Sequence, residues 1–161
     1  MAEAKLATED RPRLVCHACG YIHYINPKLV CGTLPVQGGS VWLLRRGIEP
    51  RLGYWSYPAG FQEWDESSEE AALRETREEI GCEVRIDSLF GVYSSAGAPV
   101  VNIVYLASLL PSSCAPSTTP EAIEVGAFAP HDLPWDELAF PSTRAVLLDW
   151  VRRCGKDGSL R

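Results

Sequence analysis

Between Gly60 and Cys82 the chain gathers acidic side chains in a pattern that ordinary solvation explains poorly. Glu75 lies three residues before Glu78 and four before Glu79, so on a helix the three carboxylates share a face. Like charges at that spacing repel. They also fall in the second half of the predicted helix, near the negative end of its dipole, where cations are favoured. A solvated acidic face, relieved by Arg74 and Arg77, is one account. The other is a site for a hard divalent cation, Mg2+ or Mn2+, which takes carboxylate oxygens and fills its remaining positions with water and substrate phosphate. The glycine-bearing loop ahead of the helix favours the second.

Local signals predict the helix that carries these acids. Ser67 with Glu70 three residues on is a capping box, which starts the helix there. Ala72, Leu73, Thr76 and Ile80 recur at helical spacing and give one buried stripe. Gly81 directly after Ile80 is a stop.

Gly60, five residues, Glu66, seven residues, Arg74-Glu75, two residues, Glu78-Glu79, one residue and Gly81 resembles the Nudix box. The two positions that are usually aliphatic hold Thr76 and Cys82, departures that touch packing and not charge. The resemblance implies an α/β/α sandwich with a mixed β-sheet. It also implies Mg2+-dependent hydrolysis of a nucleoside diphosphate linked to another group. On that basis Glu75 and Glu79 are the principal metal ligands, and Glu78 is a further ligand or the general base. Arg74 orients the glutamates by hydrogen bonds, and Glu66 is the partner of Arg74 or of a metal-bound water. The bend at Gly60, in a Trp55–Pro58–Gly60 segment that also matches relatives, aims the carbonyl of Ala59 or Gly60 at the metal. Outside the box, Glu121 and Glu124 are further candidates for the base. Arg45, or else Arg46, at the end of a strand, reaches a substrate phosphate. Tyr54, Tyr57 and Phe61 are core or rim aromatics, with Tyr57 the candidate to contact substrate.

Cys16-His17-Ala18-Cys19-Gly20 is half of a zinc knuckle. The segment from Cys16 to Lys28 resembles the zinc-ribbon lead-in of the Nudix subgroup that includes NADH and FAD pyrophosphatases. In such relatives another cysteine pair usually lies upstream, and this sequence starts after that point. Zinc held by Cys16 and Cys19, completed between two chains, is one outcome; a turn with free thiols is the other.

At 161 residues with 46% hydrophobic and 22% charged side chains, the chain can form one domain with a sizeable core. The formal charge of −6 argues against nucleic-acid or anionic-membrane partners but not against a phosphate substrate, because a metal can supply the local positive charge. No apolar run approaches a membrane span and no signal-peptide core is visible, so a cytoplasmic location and six reduced cysteines are expected. A homodimer is compatible with the incomplete cysteine set.

The expected organisation is a mobile leader over 1–12, a partial zinc-ribbon segment over 13–27, the Nudix domain over 28–154 and a tail over 155–161. Leu29 to Val36 and Val41 to Arg46 read as a hairpin around Gly38-Gly39. Further strands are expected near 54–61, 83–93, 99–110 and 121–128, then a helix over Ser142–Cys154 capped by Pro141-Ser142 and stopped by Gly155. The stretch Tyr93-Ser94-Ser95-Ala96-Gly97-Ala98-Pro99 lacks the array that NADH pyrophosphatases carry there. That places ADP-ribose or FAD ahead of NADH as the nucleotide substrate. A house-cleaning triphosphate pyrophosphatase and a non-catalytic nucleotide sensor are the alternatives.

Overall fold

The computed structural model describes residues 1–111 and 113–154. Its first sheet is small and antiparallel: β1 (Ala2–Ala4), β2 (Arg13–Val15) and β3 (Ile22–His23), in that order. This corrects the expected mobile leader over 1–12, because Ala2 pairs with Val15 and Ala4 with Arg13. Glu9 in the intervening loop accepts hydrogen bonds from Arg13 at 3.0 Å and from the Tyr24 hydroxyl at 2.9 Å. Backbone pairing holds a three-residue strand that has no apolar period to betray it.

The main sheet is built around β4 (Lys28–Gln37) and β5 (Ser40–Arg46). Gly38 and Gly39 join them with φ of 58° and 80°, the positive pair that a tight hairpin turn needs. Next come β6 (Trp55–Ser56) and β7 (Ala59–Phe61), two short pieces where the sequence suggested one strand. After α1 (Ser68–Ile80) the chain adds β8 (Val84–Tyr93), β9 (Val100–Leu109) and β10 (Ala122–Phe128). A short 3-10 turn, Trp135–Glu137, precedes α2 (Pro141–Arg153). The strand order is β10-β5-β4-β9-β8, with β6 on β5 and β7 on β4. β4 and β9 run parallel and the other pairs antiparallel, so the sheet is mixed.

Successive residues of a strand face opposite sides of the sheet, and the core divides accordingly. Leu43 and Val104 pack with Val146, Leu147 and Trp150 of α2. Their neighbours Leu44 and Tyr105 join the clusters that hold Ile80, Ala71 and Ala72 of α1. One helix covers each face, which is the α/β/α sandwich.

The caps decide where the helices sit. Ser67 and Glu70 exchange hydrogen bonds at 3.2 and 2.8 Å, the reciprocal box expected from the sequence. Gly81 closes α1 in the left-handed region, φ 66°, with its N–H donating to the Arg77 carbonyl. α2 differs from expectation. Its N-cap is Phe140, with no side-chain hydrogen bond, and Pro141 is the first helical residue, where its fixed φ suits the helix and its missing N–H costs nothing. The expected stop at Gly155 and the tail lie outside the described residues.

Candidate active site

Gly60, in the middle of β7, lies directly against the carboxyl group of Glu75: a Cβ there would overlap it and force that carboxylate to move from its place beside the strand. One turn further along α1, the Glu79 carboxylate accepts a 2.7 Å hydrogen bond from the Ala59 N–H. Two adjacent backbone positions thus dock against two acids of the same helix.

Those acids are under electrostatic strain. Glu79 is only 5% exposed, and burial pushes its carboxyl up to about 8. The Ala59 N–H and the charge of Arg46 pull it back, while Glu75 and Glu121 push it further. Burial also raises Glu75, partly offset by Arg74, with Glu78 and Glu121 adding repulsion. Glu75, Glu79 and Glu121 line one cleft of about 1060 Å3, with Arg46, Ala59 and Gly60 beside them.

Arg74 uses all five of its N–H donors inside the protein. Glu66 takes two, at 3.0 and 2.6 Å. Glu75 takes one at 2.6 Å, Glu78 one at 3.1 Å, and the Phe61 carbonyl one at 3.1 Å. Nothing is left for a substrate. The Arg74 guanidinium holds Glu66 below the usual carboxylate range, helped by the Glu63 N–H at 2.8 Å. Glu78 is on the exposed rim of this knot, its side chain 57% accessible.

Two expected contacts, those of Arg45 and Glu124, are corrected. Arg45 does not enter the cleft. It pairs with Glu124 at 3.1 Å and Glu137 at 2.5 Å, and donates to the Gly53 carbonyl at 2.8 Å. Arg46 lines the cleft instead, donating to the Pro50 carbonyl at 2.9 Å with its guanidinium over Phe140. Strand parity is the reason: Arg46 shares the face of Leu44, which packs with Ile80 of α1, and Arg45 has the opposite face. Glu124 stands opposite Arg45 in the ladder and is drawn away with it, so of the two late acids only Glu121 reaches the cleft. Tyr57 is a core aromatic on the cleft floor, 3% exposed, its hydroxyl donating to Asn102 at 3.5 Å. Parity along β5 separates Arg46 from Arg45 only once the packing of Leu44 against α1 is known. Asn102 and Phe140 gave no signal, since their place in the cleft depends on the register of β9 and on the entry into α2.

The acids fit a divalent ion. They repel one another, with Arg74 offsetting Glu75 and Arg46, on the cleft wall, offsetting Glu79. Among the described residues no three His, Cys, Asp or Glu side chains form a ready cage. Mg2+ does not require such a cage, because it can use one or two carboxylates plus substrate phosphate and keep several waters. The zinc candidates are less complete. The N–H groups of Ala18 and Cys19 point at the Cys16 sulfur and hold its thiol below its usual value, and Gly20 turns with φ 74°. That is a formed knuckle, but Cys16 and Cys19 supply two of the four ligands that a structural zinc requires.

Comparison with known proteins agrees with this geometry. The NUDIX domain family model matches residues 29–151, and the Nudix N-terminal zinc-ribbon model matches residues 3–25. An ADP-ribose pyrophosphatase of Methanocaldococcus jannaschii is 29% identical over 82% of this chain and 78% of its own length. The NAD-capped RNA hydrolase NudC of Pseudomonas aeruginosa is 36% identical, over 50% of this chain and 29% of that protein. A crystal structure of a NUDIX hydrolase from Nitrosomonas europaea superposes with a TM-score of 0.84 at 33% identity, covering 94% of this chain and 85% of that one. No helix among the described residues is long and apolar enough to cross a membrane. Box, fold and likeness agree, and the chain belongs to the Nudix hydrolase family.

Proposed function

We propose that this Nudix hydrolase cleaves the pyrophosphate bond of a nucleoside diphosphate linked to another group, with ADP-ribose ahead of FAD and NADH, and releases a nucleoside monophosphate. The observation that carries this reading is the facing of Glu75, Glu79 and Glu121 in one cleft with Arg46. Glu75 and Glu79 would hold Mg2+ or Mn2+, with a carbonyl from Ala59 or Gly60 of β7. When bound, that ion would neutralise phosphate charge and make water easier to deprotonate.

The protein's own groups do the rest. Arg46 contacts a phosphate, already aimed by the Pro50 carbonyl and the Phe140 ring. Arg74 is a positioning residue: with every donor engaged, it locks Glu75 and Glu66 in place. Glu121 is the general base, taking a proton from the attacking water. Its position in the cleft supports it over Glu124, which is ion-paired elsewhere, and over Glu78, which is exposed and tied to Arg74. The likeness to an ADP-ribose pyrophosphatase over most of the chain supports the substrate order. The NudC likeness spans half the chain and makes NADH a required arm of the test.

The test is product release from ADP-ribose, FAD, NADH and a set of nucleoside triphosphates with Mg2+. AMP from ADP-ribose is the expected result. Pyrophosphate from triphosphates alone would reassign the enzyme to nucleotide clean-up, and tight binding of ADP-ribose without turnover would leave only a sensor.

A further inference from the structure

The carbonyls of the last turn of a helix have no partner within the helix, and something outside must serve them. In α1 they are served by the loop that carries Glu121. The Gly81 N–H takes the Arg77 carbonyl at 3.0 Å, within the cap itself. The Ser117 N–H takes the Ile80 carbonyl at 2.9 Å. The Thr119 hydroxyl takes the Glu79 carbonyl at 3.0 Å. The same hydroxyl oxygen accepts the Glu121 N–H at 3.3 Å.

A hydroxyl has one proton to give and lone pairs to receive. Thr119 spends the proton on the backbone of Glu79 and a lone pair on the backbone of Glu121. One oxygen therefore bridges the residue proposed to hold metal and the residue proposed as base. The rest of the Glu121 backbone is also fixed. Thr119 and Ala122 exchange N–H···O bonds at 3.1 and 3.2 Å around Pro120 and Glu121, and the Gly47 N–H donates to the Glu121 carbonyl at 2.7 Å. Glu121 sits at the tip of a tight turn whose footing is the end of α1 and the end of β5.

We propose that Thr119 is a positioning residue for hydrolysis: its hydroxyl couples the Glu121 turn to the end of α1 and sets the distance between base and metal-holding acids. This rests on Glu121 being the base. Misplacing a reacting group by about 1 Å can cost on the order of 100-fold in rate, so loss of the bridge is expected to act on kcat.

The experiment compares Thr119→Val, Thr119→Ser, Glu121→Gln and the double variant Thr119→Val/Glu121→Gln. Each is assayed with Mg2+ and ADP-ribose, or the best-cleaved nucleotide of the panel, and amide hydrogen exchange is followed over residues 113–121. Thr119→Val is expected to lower kcat by about 10- to 100-fold with little change in KM, and Thr119→Ser to recover most of that loss. The double variant should be no slower than Glu121→Gln alone, since the bridge matters only while there is a base to place. Exchange over 113–121 should quicken in Thr119→Val and not in Glu121→Gln.

If Glu121→Gln keeps full kcat, the base assignment falls and this proposal with it. If Glu121→Gln is slow but Thr119→Val is not, the base stands and the bridge alone is rejected. If the wild type cleaves no nucleotide of the panel, the proposed function fails; unchanged exchange in Thr119→Val removes the bridge independently of any activity.

Discussion

Arg45 and Arg46 are adjacent and physically unlike. Arg45 joins a network with Glu124 and Glu137, both about half exposed at 54%, and such pairs are worth about 0.2–1 kcal/mol each. Arg46 faces the acids, and a charge-assisted contact to phosphate is worth about 1.5–3 kcal/mol. Arg46→Ala should therefore raise KM by about 10- to 100-fold, whereas Arg45→Ala should leave KM alone and lower the melting temperature by a few degrees. Steady-state kinetics and thermal melts on both variants check this, and equal effects on KM would reject the assignment. At this scale the sequence was legible where chemistry is written in spacing. The box acids, Gly60 and Arg74 came from a fixed pattern of charge and glycine. Choosing between Arg45 and Arg46, or between Glu121 and Glu124, depends on which side of the sheet faces α1. A run with two adjacent arginines does not declare that without the packing of Leu44.

Helix α1 shows what could be learned of elements. Its start and stop were local signals that the structure has, and of the expected stripe Ala72, Thr76 and Ile80 are buried while Leu73 is only partly so. The meaning of Thr76 was not local. Its hydroxyl donates to the Ala72 carbonyl at 2.7 Å. With that proton committed, Thr76 can only accept at its 2.7 Å contact with Thr33 on β4, so Thr33 is the donor. Both side chains are fully buried. Thr76→Val would strand the Thr33 hydroxyl in the core at a cost of about 1–3 kcal/mol. Thr33→Val/Thr76→Val removes both partners with their shapes kept, and should be more stable than Thr76→Val alone. Urea unfolding of the wild type and the two variants measures this, and a double variant weaker than Thr76→Val would show that the chain of hydroxyls is not what joins α1 to β4. The start of α2 and strand β1 were less legible because neither rests on a side-chain signal. A proline at the first position replaces a cap, and three residues of backbone pairing replace a period.

At the scale of the molecule, the sandwich was foreseeable from alternating elements, but the cleft was not, because its acids come from α1 and from a loop more than forty positions later. With Glu79 as a metal ligand, as proposed, stability and metal binding become a single linked quantity. The Glu79 carboxyl, ordinarily near 4.5, is near 8 in the fold without metal. Between those values the folded chain holds a proton that the unfolded chain has released. The contribution of this group to stability is therefore complete below pH 4.5 and lost as pH rises through 8. With chelator present, the wild type should lose melting temperature between about pH 5 and pH 8 relative to Glu79→Gln, whose neutral amide can still accept the Ala59 N–H. Each pH unit crossed in that window removes about 1.4 kcal/mol at most, and each kcal/mol is roughly 2–4 °C in a chain of this size. Mg2+ must displace the proton to bind, so its stabilising effect on the wild type should be greater at the higher pH. Glu79→Gln should show little of that gain and should turn over no substrate while remaining folded. Melts at both pH values, with chelator and with millimolar Mg2+, make the comparison. A Glu79→Gln protein that gains as much from Mg2+ as the wild type would show that the ion is held without Glu79.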